Sequence, residues 1–313
     1  MTSLSLRTRI KAWWEGYDGQ EYDAWLEARS RAKTRKPVPA PAPKNSAFQR
    51  KVAWKQERID IANLIWGEGY CGPGGPQHVI DLVKLLGLTP EMSILTIGGG
   101  LGGPARVLAK EYGCYVDGFE QSRELVLAGN EISLVAGLSK KAILETYDFA
   151  KCPPFKRKYD AAISTEALFT VENKAGVLHS LQAAMKPNKL FVMTDYVLAD
   201  GVELSDPDVQ EWIANEPTDA FPIENEAMAK LIEESQFNLR VKEDLSDSYR
   251  GLIAKSWGRA GEYVQDLLEK GDEGRILVDT LLHEATHWSR RSDMLRKKKV
   301  CLIRYLAERV WFD

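Results

Sequence analysis

Cysteine is scarce in this chain: Cys71, Cys114, Cys152 and Cys301 are the only ones in 313 residues, with no C-x-x-C spacing among them. That excludes a disulfide framework or a cysteine zinc site and predicts free thiols in a reducing compartment. Long apolar runs are missing as well; none approaches the roughly 20 residues needed to cross a bilayer. Met1 to Lys11 are polar and basic, without the apolar stretch and small-residue cleavage site of a secretory signal. No single sign of charge dominates, and a net charge of −3 argues against a nucleic-acid binder that works through bulk positive charge. With 44% hydrophobic and 28% charged residues, the chain reads as a cytoplasmic protein able to bury a sizeable core.

The chain carries no internal repeat. Lys36 to Lys44, KPVPAPAPK, is a Pro/Ala stretch that marks a first boundary. Before it, Leu6, Ile10, Trp13, Trp14, Tyr17, Tyr22 and Trp25 recur at helical spacing, which predicts a helical arm and linker over 1–47. Such an arm suits packing on the main domain or on a second copy in a homodimer better than a membrane surface. The remaining 48–313 form the main domain. Between Phe48 and about Asp200, short apolar strands alternate with helical segments: Ser93–Ile97, Tyr115–Glu120, Ala142–Tyr147, Asp160–Ser164 and Leu190–Asp195. That rhythm implies βαβ units and a mainly parallel sheet. Beyond Asp200 the sequence turns helical at about 201–235 and 250–298, with Trp257 to Arg296 reading as one long stretch. Strands are expected at Phe237–Glu243 and Val300–Leu306. A helical insertion before the last strand is placed to cover the sheet's carboxyl edge, where α/β proteins bind ligands.

The strongest local signal is Ile94-Leu-Thr-Ile-Gly98-Gly99-Gly100-Leu-Gly102-Gly103-Pro104, a buried strand running through glycines into a helix with proline in its first turn. Its spacing fits both G-x-G-x-x-G and G-x-G-x-G, so a nicotinamide-dependent dehydrogenase and another nucleoside-binding enzyme stay open on spacing alone. Two further strand ends narrow the choice. Glu120 closes the second strand about 20 residues on, where a carboxylate can take both ribose hydroxyls. Asp148-Phe149 follows the third strand and suits an adenine.

With Gly118-Phe-Glu120-Gln121-Ser122, Tyr147-Asp148-Phe149 and Met185-Lys-Pro-Asn-Lys-Leu-Phe-Val-Met-Thr-Asp195-Tyr, the glycine loop resembles the consecutive motifs of class I S-adenosylmethionine-dependent methyltransferases. Trp66-Gly-Glu-Gly-Tyr70-Cys-Gly-Pro-Gly-Gly75 and Glu243-Asp-Leu-Ser-Asp247 are similar to phosphoethanolamine N-methyltransferases and their small-molecule and sterol relatives. The resemblance runs from about Trp66 to Asp247. It implies a Rossmann-like α/β fold with a mainly parallel seven-stranded sheet, an antiparallel last strand and helices on both faces. By it, Gly98, Gly99, Gly100 and Gly102 hold the methionine moiety, Glu120 and Gln121 the ribose, and Asp148 and Phe149 the adenine, with Thr165 beside them. The departures are Thr96, where the family usually carries an acid, Gly99 in place of Cys or Ser, and Glu166 and Thr170 near the positions of an Asp and a His. They keep a non-catalytic, methyltransferase-like binding protein as an alternative.

Catalytic candidates are Tyr70, over the methyl group, and Glu166, at the end of the fourth strand; Asp195 reads as structural. Trp66, Tyr196 and Tyr249 could wall a cationic amine. The near-absence of candidate bases favours an acceptor that is already nucleophilic, an amine or a carbon–carbon double bond in a small molecule or lipid precursor. His283-Glu284-Ala-Thr-His287 has zinc-protease spacing, with Glu308 downstream as a third donor. It falls in the insertion of an otherwise complete sheet, and Glu308 is expected beyond the last strand, so no metal is assigned. Arg290-Arg291 and Arg296 to Lys299 read as a solvated turn before that strand, with an anionic substrate or membrane surface as the alternative.

Overall fold

Alternation along the strands decides the layering. In β1 (Ser93–Ile97), Ile94 and Leu95 are both fully buried although they point to opposite sides, so the sheet must be covered on both faces. Ile94 joins a core with Val79, Val83 and Leu108. Leu95 joins another with Val177, Leu181 and Met228. The computed structural model describes residues 54–310; the arm and linker expected over 1–47 lie outside the described residues.

The remaining strands are β2 (Tyr115–Glu120), β3 (Ala142–Thr146), β4 (Ala161–Thr165), β5 (Leu190–Leu198), β6 (Phe237–Asp244) and β7 (Val300–Arg309). They form one seven-stranded sheet in the order β3-β2-β1-β4-β5-β7-β6. Neighbouring pairs from β3 to β5 are parallel, and β7 runs antiparallel to both β5 and β6. This is the expected Rossmann-like arrangement. The reversal of strand order at β1 and β4 opens a crevice at their carboxyl ends.

Around the sheet lie α1 (Gln56–Trp66), α2 (Gly75–Val83), α3 (Gly103–Glu111), α4 (Arg123–Val135), α5 (Lys174–Ala184), α6 (Pro207–Asn215) and α7 (Asn225–Glu234). Three more, α8 (Ser246–Trp257), α9 (Ala260–Leu268) and α10 (Asp272–Arg296), precede β7. The stretch expected as one long helix from Trp257 is therefore broken twice. The second break passes through Gly271, whose φ of 72° is left-handed. Asp272 and Glu273 then open the 25-residue α10, where carboxylates suit the helix's positive end.

A third core unites α1, α6, α8, α9 and α10. Trp66, Trp212, Trp257 and Trp288 fill it, together with Tyr196 and Leu198 from the end of β5 and Val300 and Leu302 from the start of β7. The insertion is thus a helical cap fused to the sheet by a shared apolar core. At roughly 25 cal/mol per Å² of buried apolar surface, aromatic side chains of this size make such a junction strongly adhesive.

Candidate functional site

The crevice is a cavity of about 990 Å³ between the carboxyl ends of β1, β2, β3 and β4 and the helical cap. Its floor is the glycine loop after β1. The amides of Gly98 and Gly99 both donate to the Phe119 carbonyl, which folds the loop back over β2. Gly98 has a φ of 69°, and a Cβ there would overlap the Cβ of Ala167. Gly98→Ala is therefore expected to lower stability by about 1–2 kcal/mol for the left-handed backbone and about 1–3 kcal/mol for overpacking. A urea midpoint unchanged from the parent would show that the loop is not held in this shape.

The segment before α2 closes over the floor. Gly103 donates its amide to the Gly69 carbonyl at 2.8 Å, and the Tyr70 ring lies so close that a Cβ on Gly103 would come within 2.8 Å of it. Burial pushes the Tyr70 hydroxyl up to about 12, so it is a neutral donor at physiological pH. Cys71 follows against Gly100, and burial pushes its thiol up to about 12, with the Glu120 charge adding to the effect.

Glu120 ends β2 with one carboxylate oxygen accepting from the Gly100 amide and the other from the Ser122 amide, both at 2.9 Å. Burial raises its pKa, and those amides oppose the rise. A carboxylate offers about four lone-pair sites, so a vicinal diol can still be received. Asp148 stands at the cavity's outer edge, accepting from the Ala150 and Lys151 amides. The Lys151 ammonium, 3.0 Å away, holds its carboxyl below the usual range. Phe149 is buried in an aromatic cluster with Tyr147 and also faces the cavity. A half-buried carboxylate on one side, with an exposed carboxylate beside a buried apolar ring on the other, fits an adenosyl group.

Under the cap the wall changes character. Glu166, just past β4, has a φ of 45°, a left-handed conformation unusual for glutamate and costing roughly 1–3 kcal/mol. Its carboxylate accepts from the Thr194 hydroxyl at 2.6 Å and the Tyr249 hydroxyl at 3.1 Å. Burial raises its pKa, opposed by Thr194 and by His78. Thr170, near the family's histidine position, donates its hydroxyl to the Ala167 carbonyl. Asp195 is fully buried, accepts from the Phe169 amide and anchors the turn at Leu168–Thr170 to β5.

The structure thus gathers Tyr70, Glu166, Gly98, Gly99, Gly100, Glu120, Gln121, Asp148, Phe149 and Thr165 around one cavity. Gly102 instead caps the start of α3 with a φ of 78°. The expected aromatic wall needs correction: Tyr249 faces the cavity, but Trp66 and Tyr196 are core residues behind it, and Phe169 and Trp288 stand there in their place.

Arg291 is the residue that sequence reasoning misplaced. It is not part of a solvated turn but lies in α10, donating to both oxygens of Glu216 at 3.0 and 2.7 Å. Its guanidinium sits 4.8 to 5.2 Å from the ring centres of Trp288, Tyr196 and Phe169. The other basic residues of that run are surface groups: Arg296 and Lys297 pair with Asp293, and Lys299 pairs with Asp206. A second buried arginine, Arg58, meets Glu284 at 2.7 Å.

Those pairs dismantle the H-E-x-x-H reading. Glu284 is committed to Arg58, His283 points to solvent, and His287 is buried beside Glu216. Burial, with Arg291 adding to it, keeps His287 neutral. Glu308 lies inside β7, not beyond it, opposite Leu190 and paired with Arg240. Among the described residues no His, Cys, Asp and Glu cluster could hold a metal ion. His78, not singled out in the sequence, also lines the cavity, its ring 6.0 Å from that of Tyr249.

The sequence profile of the family described as methyltransferase domain matches residues 75–240. Phosphoethanolamine N-methyltransferase of Plasmodium falciparum is 24% identical over 235 residues, covering 74% of this chain and 86% of that protein. Phosphoethanolamine N-methyltransferase 1 of Zea mays is 22% identical over 227 residues, covering 72% of this chain but 44% of the maize protein; the chain spans less than half of that relative. Among solved structures, Haemonchus contortus phosphoethanolamine N-methyltransferase 2, in complex with phosphomonomethylethanolamine and S-adenosylhomocysteine, superposes with a TM-score of 0.72. That match has 16% identity and covers 82% of this chain and 59% of that one. Sheet order and the structural match define a class I, Rossmann-like fold. The chain belongs to the methyltransferase domain family. The antiparallel β7 between β5 and β6, with the family match, sets the dehydrogenase alternative aside.

Proposed function

We propose that the chain is an S-adenosylmethionine-dependent methyltransferase whose acceptor is a small-molecule amine. One observation carries the choice of amine. Both arginines in the acceptor half are already neutralised by Glu216 and Glu284, whereas Glu166 is held by two hydroxyls and has no ion-pair partner among the described residues. A half-buried carboxylate held this way favours a cationic or strongly hydrogen-donating acceptor. The relatives that carry phosphoethanolamine in their names point to the same class.

Bound S-adenosylmethionine supplies a methyl carbon on a sulfonium. In this reading the loop from Gly98 to Gly100 takes the methionine end and Gly102 fixes the helix behind it. Glu120 and Gln121 take the ribose, Asp148 and Phe149 the adenine, and Thr165 closes the edge. Tyr70 and Glu166 orient the acceptor, and the cap excludes water. Positioning of this kind reaches effective molarities of about 10⁵–10⁸ M. The proposal extends to a cytoplasmic enzyme, supported by four free thiols, and to a homodimer through the N-terminal arm.

Calorimetric titration with S-adenosylhomocysteine beside NAD⁺ tests the cofactor. Micromolar binding of the first alone is expected. Methyl transfer to a panel of phosphoethanolamine, ethanolamine, glycine and sarcosine then tests the acceptor class. Turnover of none of them, with the cofactor analogue bound, would overturn the amine reading.

A further inference from the structure

An amine at neutral pH is largely an ammonium ion, with no lone pair to attack a methyl group, so the proposed reaction needs a proton acceptor beside the acceptor nitrogen. Glu166 and the glycine loop do not supply one unaided. Glu166 already accepts hydrogen bonds from Thr194 and Tyr249, Thr170 is turned to its own backbone, and His287, although it also lines the cavity, packs against the Trp288 ring and Glu216. Of the two imidazoles that line the cavity, His78 is the one with a buried ring nitrogen left without a partner. His78 sits on the first turn of α2, and its Nε2 is closed off from solvent with no hydrogen-bond partner. A buried imidazole nitrogen without a partner is costly in the free protein, and filling the cavity with a donor removes that cost.

We propose that His78 is the general base of this site, taking the proton from the acceptor's ammonium group. The inference rests on the amine reading above. The groups facing His78 are Glu166 beyond β4, Tyr249 on α8 and Asp81 on its own helix, with Arg291 acting on the first two from α10. Glu166 stabilises the imidazolium electrostatically, and the Tyr249 hydroxyl keeps that carboxylate in place. The balance is simple. The ammonium loses one proton to His78, the freed nitrogen pair forms the N–C bond, and the methyl carbon's bond to sulfur breaks with its electrons staying on sulfur. The product leaves as a methylated ammonium, S-adenosylhomocysteine is left, and His78 returns its proton to water.

His78→Asn and His78→Gln test this, with S-adenosylhomocysteine affinity measured alongside turnover of whichever panel amine the parent methylates. Both variants are expected to keep that affinity within about threefold. Their kcat/KM at pH 7 should fall about 100-fold, within the range of general-base contributions. Their rate should also rise with pH to recover at high pH, where the free amine is abundant without help. Unchanged rates and pH profile in both variants would overturn the role of His78 while leaving the amine reading intact. Loss of cofactor affinity together with rate would mark His78 as structural and equally overturn it. A parent that methylates no panel amine removes the reading on which the inference stands.

Discussion

Replacing Glu120 by alanine is expected to weaken S-adenosylhomocysteine binding by about 100-fold. Two hydrogen bonds from ribose hydroxyls to a carboxylate contribute about 1.5 kcal/mol each at the low end, and about 3 kcal/mol corresponds to a factor near 100. The side chain is well placed for that contribution, since Gly100 and Ser122 already fix both oxygens at the carboxyl end of β2. Glu120→Gln keeps the shape and one acceptor, so an intermediate loss is expected. The effect has a pH signature. Burial raises the carboxyl's pKa, and the ionised form accepts the two hydroxyls. Affinity should therefore be full well above that raised pKa and fall as pH drops through it, in a window starting above the ordinary glutamate range. The same shift means that the free folded protein binds a proton more readily than the unfolded chain, so ionising Glu120 costs stability as pH rises. Ligand hydroxyls offset that cost. Calorimetry at several pH values checks both parts, and an affinity unchanged in Glu120→Ala would remove the ribose assignment.

The gathering of the glycine loop, Glu120 and Asp148-Phe149 at one edge was legible because its signals are local. A glycine loop and an Asp-Phe pair follow their strands by one or two residues and a carboxylate ends its own, so the strand rhythm alone brings them to a common edge. The sheet was legible for a related reason: near-continuous burial on both faces leaves few ways to arrange apolar strands between helices. The acceptor half was not. Glu216 and Arg291 are 75 positions apart and meet only because α10 folds back over the loop after α6. In sequence, Arg291 is one more cation in a basic run. His78 sits beside the buried Val79 on an ordinary amphipathic helix and gains a chemical context only when Glu166 and Tyr249 arrive from elsewhere. Trp66 and Tyr196 misled for the opposite reason. Aromatics near a sheet edge look like a binding wall, yet the helical cap needs them as core.

Breaking the buried pair at the base of the cap should cost several kcal/mol of stability, on the order of 3–5. Glu216 exposes 1% of its side chain and Arg291 11%. Removing one partner leaves an unpaired charge, which typically costs about 3–5 kcal/mol. His287 cannot replace Glu216, since an imidazole carries no negative charge, and the Glu166 carboxylate is held by Thr194 and Tyr249 instead. The three rings around Arg291 contribute cation–π attraction of about 0.5–2 kcal/mol each at best, too little to neutralise a desolvated guanidinium. Glu216→Leu and Arg291→Met are therefore each expected to lower unfolding free energy by about 3–5 kcal/mol in urea denaturation. Combined, they should restore most of it, since a hydrophobic replacement of similar volume is often neutral or stabilising. The rings that now surround the guanidinium would pack against a methionine thioether at little cost. Additive losses in the double variant would mean that the two residues act through separate contacts and that the cap is not pinned by this pair. Recovery of stability without recovery of turnover would show instead that the pair's charge distribution, and not merely the folded cap, is what leaves Glu166 as the unpaired carboxylate facing the acceptor.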